Sequence, residues 1–252
     1  MAGARIRENR VLAGMIFDLD GVIADTHPIH RQAWRQLLVE RGQRVSEEEL
    51  DFVLEGSKRE EILRHFLGGL PVGEIFHCGQ RKDELFHQSV AGLRAIPGVV
   101  NLLHQFDAAG IPMAVATSGS RGRANEVIGQ LGLSGCFCVV VTGDDTANGK
   151  PDPSIFYLTA NCLHVAPQQL LVAEDSRGGV RAAKSAGMKC LGIASDRLAF
   201  RLYREGADRV VPDFRGISLR SLQGLFEDSK PTNELLGEPV EGTSHDSQYD
   251  RP

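Results

Sequence analysis

Residues 11–26 read VLAGMIFDLDGVIADT and join an apolar run to two closely spaced acids. A continuous apolar run is typical of a strand that is buried on both faces of a parallel sheet. Asp18 and Asp20 follow the run with one residue between them, so the alternation of a strand directs both carboxylates to the same side. Gly21 then allows the chain to turn sharply. The stretch therefore predicts a buried strand that ends in a carboxylate pair.

Similar apolar runs recur along the chain, separated by stretches with helical periodicity. The further runs are IPMAVATS (111–118), CFCVVVTG (136–143), QLLVAEDS (169–176), MKCLGIAS (188–195) and the weaker ADRVVPD (207–213). Strands that alternate with helices in this way predict an α/β fold with a doubly wound parallel sheet. Ligands bind at the carboxyl ends of the strands in such folds, so the polar residues that close several runs are expected to meet in one crevice.

The connection between the first two runs, residues 26–95, is about three times as long as one crossover helix requires. Its sequence predicts four helices. The first runs from Thr26 through Gly42, and the second is a short helix that begins at a Ser46–Glu49 capping box. The third runs from Lys58 to Leu67 and the fourth from Gly73 to Leu93. An insertion placed directly after the acidic pair is expected to cover the crevice as a cap.

The chain thus divides into a core, an inserted cap and two terminal segments. We expect an N-terminal extension of residues 1–12, a catalytic core of residues 13–25 and 96–226, a helical cap of residues 26–95, and a tail of residues 227–252. The tail contains seven acids and two bases, which accounts for the whole formal charge of −5. It lacks apolar periodicity, and such a composition is typical of a disordered segment.

The charge and hydropathy patterns exclude several classes of partner. Residues 1–226 carry equal numbers of acidic and basic side chains, so no global field attracts nucleic acid or an anionic membrane. No apolar run is long enough to cross a bilayer, and the five cysteines form no CxxC pair. We therefore expect a cytoplasmic protein, with a monomer favoured over an oligomer, whose partner is a small molecule.

Four carboxylates are expected at the crevice. Asp18 and Asp20 suit a division of labour in which one attacks and the other moves a proton, although both could simply cap the following turn. Glu174 and Asp175 end another run and would add two negative charges. Such a cluster needs a cation in a dry site, and oxygen ligands favour Mg²⁺. The alternative for Asp175 is an N-cap of the next helix.

Two further segments carry groups that suit a phosphate. Lys150 lies in GKPDP just after a run, where it would offset the acids and bind a phosphoryl oxygen. Thr117, Ser118 and Gly119 close a run before a helix, so their hydroxyls and backbone N–H groups would form an anion cradle. The alternatives are a solvated surface lysine and an ordinary helix cap.

The four segments together resemble the motifs of the haloacid dehalogenase (HAD) superfamily, in the same order, over about residues 13–226. FDLDGVIADT is similar to the first motif and Thr117 to the second. Lys150 in GKPDP is similar to the third, and AEDSRGG to the fourth. Four motifs at strand ends are a far stronger signal than any one of them.

The resemblance implies a role for each acid. Asp18 would be the nucleophile that becomes an aspartyl-phosphate, and Asp20 the general acid and base. Mg²⁺ would be held by Asp18, by the backbone carbonyl of Asp20, and by Glu174 or Asp175. The second acid and the acidic fourth motif favour phosphoryl transfer over carbon–halogen cleavage.

The cap carries a resemblance of its own, to the β-phosphoglucomutase-like and sugar phosphatase subgroup. DTHPIHRQAW places His30 and Trp34 at matching positions, GSKREEIL offers Arg59 to a second phosphate, and QRKDELF offers Lys82. Lys58 departs from the mutase pattern, which usually has a small hydroxyl residue there. The alternatives are that His30 and Trp34 pack inside the cap, which is favoured for Trp34, and that Lys82 lies on the surface.

The expected function is a Mg²⁺-dependent phosphatase that hydrolyses a small phosphorylated metabolite, a sugar phosphate, through Asp18. The alternative with the same core is β-phosphoglucomutase activity, which interconverts β-glucose 1-phosphate and glucose 6-phosphate. A phospho-acceptor signalling domain also combines acids, Thr and Lys on a parallel sheet. Such a domain is smaller, has no cap and fits the spacing of Asp18 and Asp20 poorly.

Overall fold

The computed structural model describes residues 11–227, and within them the chain folds around a six-stranded parallel sheet. The strands are β1 Gly14–Phe17, β2 Met113–Ala116, β3 Val139–Val141, β4 Leu170–Glu174, β5 Lys189–Ile193 and β6 Arg209–Val211. Their order across the sheet is β3-β2-β1-β4-β5-β6, and every neighbouring pair is parallel. The predicted doubly wound α/β fold is confirmed. The winding direction changes between β1 and β4, where a crevice is expected.

The segment between β1 and β2 is helical, as its sequence predicts. Its elements are α1 His27–Glu40, a short 3₁₀ helix Glu49–Leu54, α2 Arg59–Leu67 and α3 Val72–Ser89. The capping box forms, because the Ser46 N–H donates to Glu49 Oε2 (2.7 Å) and the Glu49 N–H donates to Ser46 Oγ (3.2 Å). Two details differ from the expectation. The second helix is a 3₁₀ helix. The fourth was predicted to reach Leu93, whereas α3 ends at Ser89, before a turn in which Gly92 adopts a left-handed φ of 83°.

Helices pack on the sheet and divide its side chains between two apolar clusters. The core helices are α4 Val99–Ala108, α5 Arg121–Gln130, α6 Ser154–Leu163, α7 Arg177–Ser185, α8 Asp196–Arg204 and α9 Leu219–Gln223. In β1, Met15 and Phe17 belong to one cluster and Ile16 to the other. All three side chains are fully buried, which explains why this strand is a continuous apolar run.

Two neighbouring segments connect the core to the inserted helices. The Asp25 N–H donates to the Arg94 carbonyl (2.9 Å), and the Ile96 N–H donates to the Ile23 carbonyl (2.8 Å). The chain therefore leaves the core and returns to it side by side, immediately after the acidic pair. This pairing fixes where the inserted helices sit relative to the carboxyl end of β1.

The terminal segments fall largely outside the described residues. Residues 1–10 and 228–252 are not described, and they include most of the predicted N-terminal extension and of the predicted acidic tail. Leu12, which the sequence assigned to the extension, is 3% exposed and packs in the larger apolar cluster. Within residues 11–227 no helix has the length and apolar character to cross a bilayer.

Candidate active site

A cavity lies at the carboxyl ends of β1, β2 and β4, beneath the inserted helices. Ten of the twelve predicted site residues line it: Asp18, Asp20, His30, Trp34, Arg59, Lys82, Thr117, Ser118, Gly119 and Asp175. The other two, Lys150 and Glu174, lie next to Asp18 but do not line the cavity. The fold thus brings together residues that are up to 157 positions apart in the sequence, from Asp18 to Asp175.

The Lys150 ammonium group connects two carboxylates beside the cavity. Its Nζ donates to Asp18 Oδ1 (2.5 Å), to Glu174 Oε1 and to the Ala116 carbonyl (3.1 Å). Burial alone would lower the pKa of Lys150, but the two carboxylates outweigh burial and raise it above its ordinary value. Lys150 is therefore a fixed positive charge on the nucleophile candidate. Because its side chain is 1% exposed, it acts on Asp18 instead of reaching into open space.

Asp18 is held at both carboxylate oxygens in the turn that follows β1. Its Oδ2 accepts a hydrogen bond from the Asp20 N–H (3.0 Å), opposite the Lys150 contact on Oδ1. Burial, together with the nearby Glu174 and Asp20 carboxylates, outweighs the opposing effect of Lys150 and raises the pKa of Asp18 to about 7. A further cation near Asp18 would favour its ionised, nucleophilic form.

Both carboxylate oxygens of Glu174 accept hydrogen bonds inside the protein. Its Oε2 accepts from the N–H groups of Asp175 and Ser176 (both 3.1 Å) and from the Ser176 hydroxyl (3.0 Å), while Oε1 accepts from Lys150. A Cβ on Gly179 would overlap the Glu174 carboxylate, so α7 packs tightly against it. Glu174 is 0% exposed and therefore positions Lys150 and the loop after β4.

Asp175, the next residue, does line the cavity. Its Oδ2 is buried and makes no hydrogen bond of good geometry, and the nearest basic atom is His27 Nε2, at 2.7 Å in an ion pair. Burial alone would lower the pKa of His27, but Asp175 outweighs burial and raises it to about 9. A protonated imidazole thus supplies positive charge beside Asp175.

These residues fit a divalent cation with oxygen ligands. Asp18 and Asp175 offer carboxylate oxygens at one cavity, and the family resemblance adds the backbone carbonyl of Asp20. Gly21 leaves the necessary space, because it adopts φ +74° and a Cβ there would overlap Asp175 Oδ2 and His27 Nε2. In the described part of the chain, no three His, Cys, Asp or Glu side chains form a metal site by themselves. Two carboxylates and a carbonyl suit Mg²⁺, which retains several water ligands.

Arg123 holds Asp20 in a bidentate ion pair at another side of the cavity. Its Nη1 donates to Asp20 Oδ1 (2.8 Å) and its Nη2 to Asp20 Oδ2 (2.7 Å), and the Thr26 hydroxyl also donates to Oδ1 (2.7 Å). Burial alone would raise the pKa of Asp20, but Arg123 and His30 outweigh burial and hold it well below its ordinary value. Asp20 is therefore an ionised carboxylate in this conformation.

Two bases of the cap continue the network from Asp20. His30 Nε2 lies 3.0 Å from Asp20 Oδ1, and Lys82 Nζ lies 3.1 Å from His30 Nδ1. Burial, together with Lys82, lowers the pKa of His30 to about 3, so its imidazole is neutral and donates its Nε2 proton to Asp20. Burial, reinforced by Arg123, lowers the pKa of Lys82 to about 7. Lys82 is 4% exposed, so the alternative of a surface lysine is wrong.

The turn after β2 contains Thr117, Ser118 and Gly119, for which an anion cradle was predicted, and all three line the cavity. The Thr117 hydroxyl oxygen accepts from the Gly119 N–H (3.1 Å), so its own proton can be donated to a phosphoryl oxygen. Ser118 lines the cavity as well, but its hydroxyl donates to the Gly56 carbonyl of the cap segment (2.6 Å). A Cβ on Gly119 would overlap the Arg123 guanidinium, so a larger residue here would require that side chain to move.

The other two predicted cap residues have different surroundings. Arg59 Nη2 donates to Asp83 Oδ2 (2.8 Å), and the same oxygen accepts from the Ser120 hydroxyl of the core (3.1 Å). Trp34 is 2% exposed and packs in the larger apolar cluster while one edge faces the cavity. Core packing, the favoured interpretation for Trp34, agrees with this burial.

Two residues of the site were missed by the sequence analysis, His27 and Arg123. His27 directly follows the first motif, and this position of a titratable side chain could have identified it as a candidate site residue. Arg123 lies in RGRANEV, the first turns of α5, where an arginine normally faces solvent. Nothing local distinguishes it, because its partner Asp20 is 103 positions away in the sequence.

The fold and the site define a class of protein: an α/β enzyme in which a helical cap covers an aspartate pair at a strand end beside a buried lysine. The family model for haloacid dehalogenase-like hydrolases matches residues 15–193, and the chain belongs to this family.

Similar proteins include phosphatases and mutases. The chain is 33% identical to hexitol phosphatase A of Escherichia coli over 182 residues, 71% of this chain and 82% of that protein. It is 32% identical to β-phosphoglucomutase of Bacillus subtilis over 228 residues, 86% of this chain and 96% of that protein. The crystal structure of β-phosphoglucomutase from Clostridium difficile superposes with a TM-score of 0.78 at 26% identity, covering 85% of this chain and 97% of that one.

Proposed function

We propose that this chain is a Mg²⁺-dependent phosphatase that hydrolyses a small phosphorylated metabolite, a sugar phosphate, through an aspartyl-phosphate on Asp18. The observation that carries the proposal is the position of Asp18, which faces a capped cavity while Lys150 binds one of its oxygens. The similarity to a hexitol phosphatase supports both the reaction and the substrate class.

The first half of the reaction transfers the phosphoryl group to the enzyme. Asp18 attacks phosphorus in line with the leaving oxygen, and the bond between phosphorus and that oxygen breaks. Lys150 orients Asp18 and offsets its charge, and Thr117 donates to a phosphoryl oxygen. Asp20, which must be protonated for this half of the reaction, gives its proton to the leaving alkoxide. Asp18 and Asp175 would hold Mg²⁺, which would supply positive charge to the phosphoryl oxygens.

The second half returns the phosphoryl group to water. Asp20, now a base, removes a proton from the attacking water, and the bond between phosphorus and Asp18 breaks to release inorganic phosphate. Between Glu174 and Asp175 we assign the metal contact to Asp175, since the hydrogen bonds of Glu174 are fully engaged with Lys150 and the β4 loop. Glu174 then acts on the metal site through Lys150 and through the hydrogen bond that it accepts from the Asp175 N–H.

Asp20→Asn is expected to leave Mg²⁺ binding nearly intact and to slow turnover by at least about 10²-fold, because acid–base catalysis is lost while the backbone carbonyl remains. Calorimetric titration with Mg²⁺ and a phosphate-release assay measure the two properties separately. Asp175→Asn is the matched control, and it should weaken Mg²⁺ binding in the same titration. Unchanged turnover in Asp20→Asn would remove Asp20 from the mechanism.

A second candidate function is β-phosphoglucomutase, and two observations favour it. The similarity to the Bacillus subtilis mutase extends over 96% of that protein, and the basic residues Arg59 and Lys82 line the cavity beside the phosphate turn. A mutase would pass the phosphoryl group from Asp18 to a second sugar phosphate, so phosphate would not be released.

A panel of sugar phosphates, assayed for inorganic phosphate, tests the phosphatase proposal directly. We expect steady phosphate release from at least one member. The panel includes β-glucose 1-phosphate with a trace of glucose 1,6-bisphosphate, followed by an assay for glucose 6-phosphate. Rapid formation of glucose 6-phosphate with little free phosphate would overturn the phosphatase in favour of the mutase.

The proposed setting is the cytoplasm. The five cysteines, all within the described residues, carry free thiols. Free thiols, two of them exposed, are typical of a reducing compartment.

A further inference from the structure

The cap side of the cavity contains an ion pair that the proposed mechanism does not use. Arg59, the first residue of α2, and Asp83, on α3, both line the cavity, and Arg59 Nη2 donates to Asp83 Oδ2 (2.8 Å). The same oxygen accepts from the Ser120 hydroxyl of the core (3.1 Å). In the described part of the chain neither Arg59 nor Asp83 hydrogen-bonds to Asp18, so the pair lies outside the network of the nucleophile candidate.

The Arg59 side chain is held in place along α3. A Cβ on Gly79, one turn before Asp83, would overlap Arg59 Nη1 and would lie 2.8 Å from its Cδ. The side chain therefore crosses α3 at the bare backbone of Gly79 and ends at Asp83. Arg59 and Asp83 are 25% and 31% exposed, so the pair is partly shielded from bulk solvent. The charge of Arg59 is thus offset before any ligand enters.

The Asp83 carboxylate acts on more than one base. Its Oδ1 is buried and has no hydrogen-bond donor among the described residues. Burial, reinforced by Arg123, lowers the pKa of Lys82 to about 7, and the Asp83 carboxylate opposes this shift. Burial alone would lower the pKa of Arg123, but Asp20, assisted by Asp83, raises it above its ordinary value. Asp83 therefore offsets positive charge on the whole cap side of the cavity.

The other basic side chains that line the cavity have partners as well. These contacts join Arg123 to Asp20, His27 to Asp175, and Lys82 to His30. Between residues 11 and 227, no basic side chain of the cavity wall is left without a partner. A second anion on a substrate would have to displace a carboxylate from its cation, whereas a hydroxyl group would not.

We propose that Asp83 is a specificity-determining residue, which pairs with Arg59, withholds this guanidinium from a second anionic group and selects phosphorylated metabolites that are otherwise uncharged. The inference rests on the proposed function and deepens it, because it restricts the substrates to monophosphates without a carboxylate, such as polyol phosphates. It also disfavours the mutase, in which the sugar phosphate that accepts the phosphoryl group brings a second phosphate into the cavity.

Two probes differ only at the end remote from the phosphate. Sorbitol 6-phosphate and 6-phosphogluconate have the same carbon chain and hydroxyl configuration, with a CH₂OH group at C1 in the first and a carboxylate in the second. Calorimetric titration of full-length, Mg²⁺-loaded Asp18→Asn measures the Kd of each probe without turnover. We expect sorbitol 6-phosphate to bind at least about 10-fold more tightly, because Asp83 repels the carboxylate. Equal binding, tighter binding of 6-phosphogluconate, or no binding of either probe would overturn the proposal.

Asp83→Asn, introduced into the same background, tests the residue, because the amide keeps the shape and removes the charge. The ratio of the two Kd values is expected to fall to about one, since Arg59 can then bind the C1 carboxylate. Glu84→Gln is the matched control: Glu84 is 60% exposed, pairs with Arg81 and does not line the cavity. Circular dichroism checks folding. An unchanged Kd ratio in folded Asp83→Asn, or an equal change in Glu84→Gln, would overturn the proposal.

The Arg59→Met background shows whether Asp83 acts through the ion pair. Without the guanidinium, Asp83→Asn is expected to tighten the binding of 6-phosphogluconate by less than about 3-fold, because no cation is released. An undiminished gain would show that Asp83 acts without Arg59 and would overturn the proposal. Failure of the proposed phosphatase has a different signature: the wild-type enzyme would release no phosphate from any sugar phosphate of the panel, while the Kd ratio would keep its expected value.

Discussion

Asp18→Asn is expected to lower kcat for phosphate release by at least about 10³-fold, since the loss of a covalent nucleophile removes the reaction path itself. The amide has nearly the shape of the carboxylate, so the cavity is preserved. Its nitrogen and oxygen are poor nucleophiles, and it also removes the negative charge that Lys150 contacts at 2.5 Å. Steady-state phosphate assays give kcat, and calorimetric titration with a substrate shows whether binding survives.

Asp25→Asn is the matched control for this experiment. Asp25 belongs to the same motif but is exposed, and we expect the variant to retain wild-type kcat. Folding of both variants is compared by circular dichroism. If Asp18→Asn retained more than a tenth of the wild-type kcat, Asp18 would not be the nucleophile.

Lys150→Met is expected to destabilise the metal-free protein by about 3–5 kcal/mol, because it leaves two buried carboxylates without their shared counter-charge. Lys150 is 1% exposed, and its partners Asp18 and Glu174 are 10% and 0% exposed, so solvent screens these charges weakly. Urea unfolding in the presence of EDTA measures the free energy of unfolding. Turnover should also fall sharply, since Asp18 loses the group that orients it.

The pH dependence of the destabilisation in Lys150→Met gives an independent check. The pKa of Asp18 is raised from 3.8 to about 7 by burial, so protonation of Asp18 favours the folded state and its ionisation costs stability as the pH rises through about 4 to 7. Without Lys150 that cost increases. The difference in unfolding free energy between wild type and Lys150→Met is therefore expected to be larger at pH 8 than at pH 5.

Lys189→Met serves as the control for loss of a lysine. Lys189 contacts Asp208 at 3.0 Å with a side chain that is 33% exposed, and such pairs contribute less than about 1 kcal/mol. An equal destabilisation in the two variants, or a pH-independent loss in Lys150→Met, would contradict a buried charge cluster at Asp18.

The sequence predicted the framework of the site because its signals are local. β1 is buried on both faces, so the strand is an unbroken apolar run, and its end is marked by Asp18 and Asp20 in consecutive same-side positions. The same logic located Thr117 and Asp175 at the ends of two neighbouring strands. Parallel topology alone then brings these strand ends to one crevice, without any knowledge of side-chain contacts.

The remaining features depend on contacts that no local pattern contains. Arg123 is buried where its guanidinium lies over the Phe86 ring of the cap and forms a bidentate pair with Asp20. Lys150 was expected to reach a phosphate, whereas its depth behind Asp18 depends on where Glu174 lies. Glu174 and Asp175 are adjacent in sequence, and their different environments arise from the turn into α7. Contacts between side chains that are more than 100 positions apart in the sequence form only when the protein folds, so no local pattern predicts them.

The most direct test of the account is to trap the phosphorylated enzyme. The Mg²⁺-loaded protein is mixed with a sugar phosphate that it turns over, quenched in acid within milliseconds, reduced with borohydride and digested for mass spectrometry. An acyl phosphate at Asp18 is reduced to homoserine, so the account predicts a homoserine at position 18 in the wild type and none in Asp18→Asn. Steady phosphate release without reduction at position 18, or reduction at another carboxylate, would contradict a covalent mechanism through Asp18.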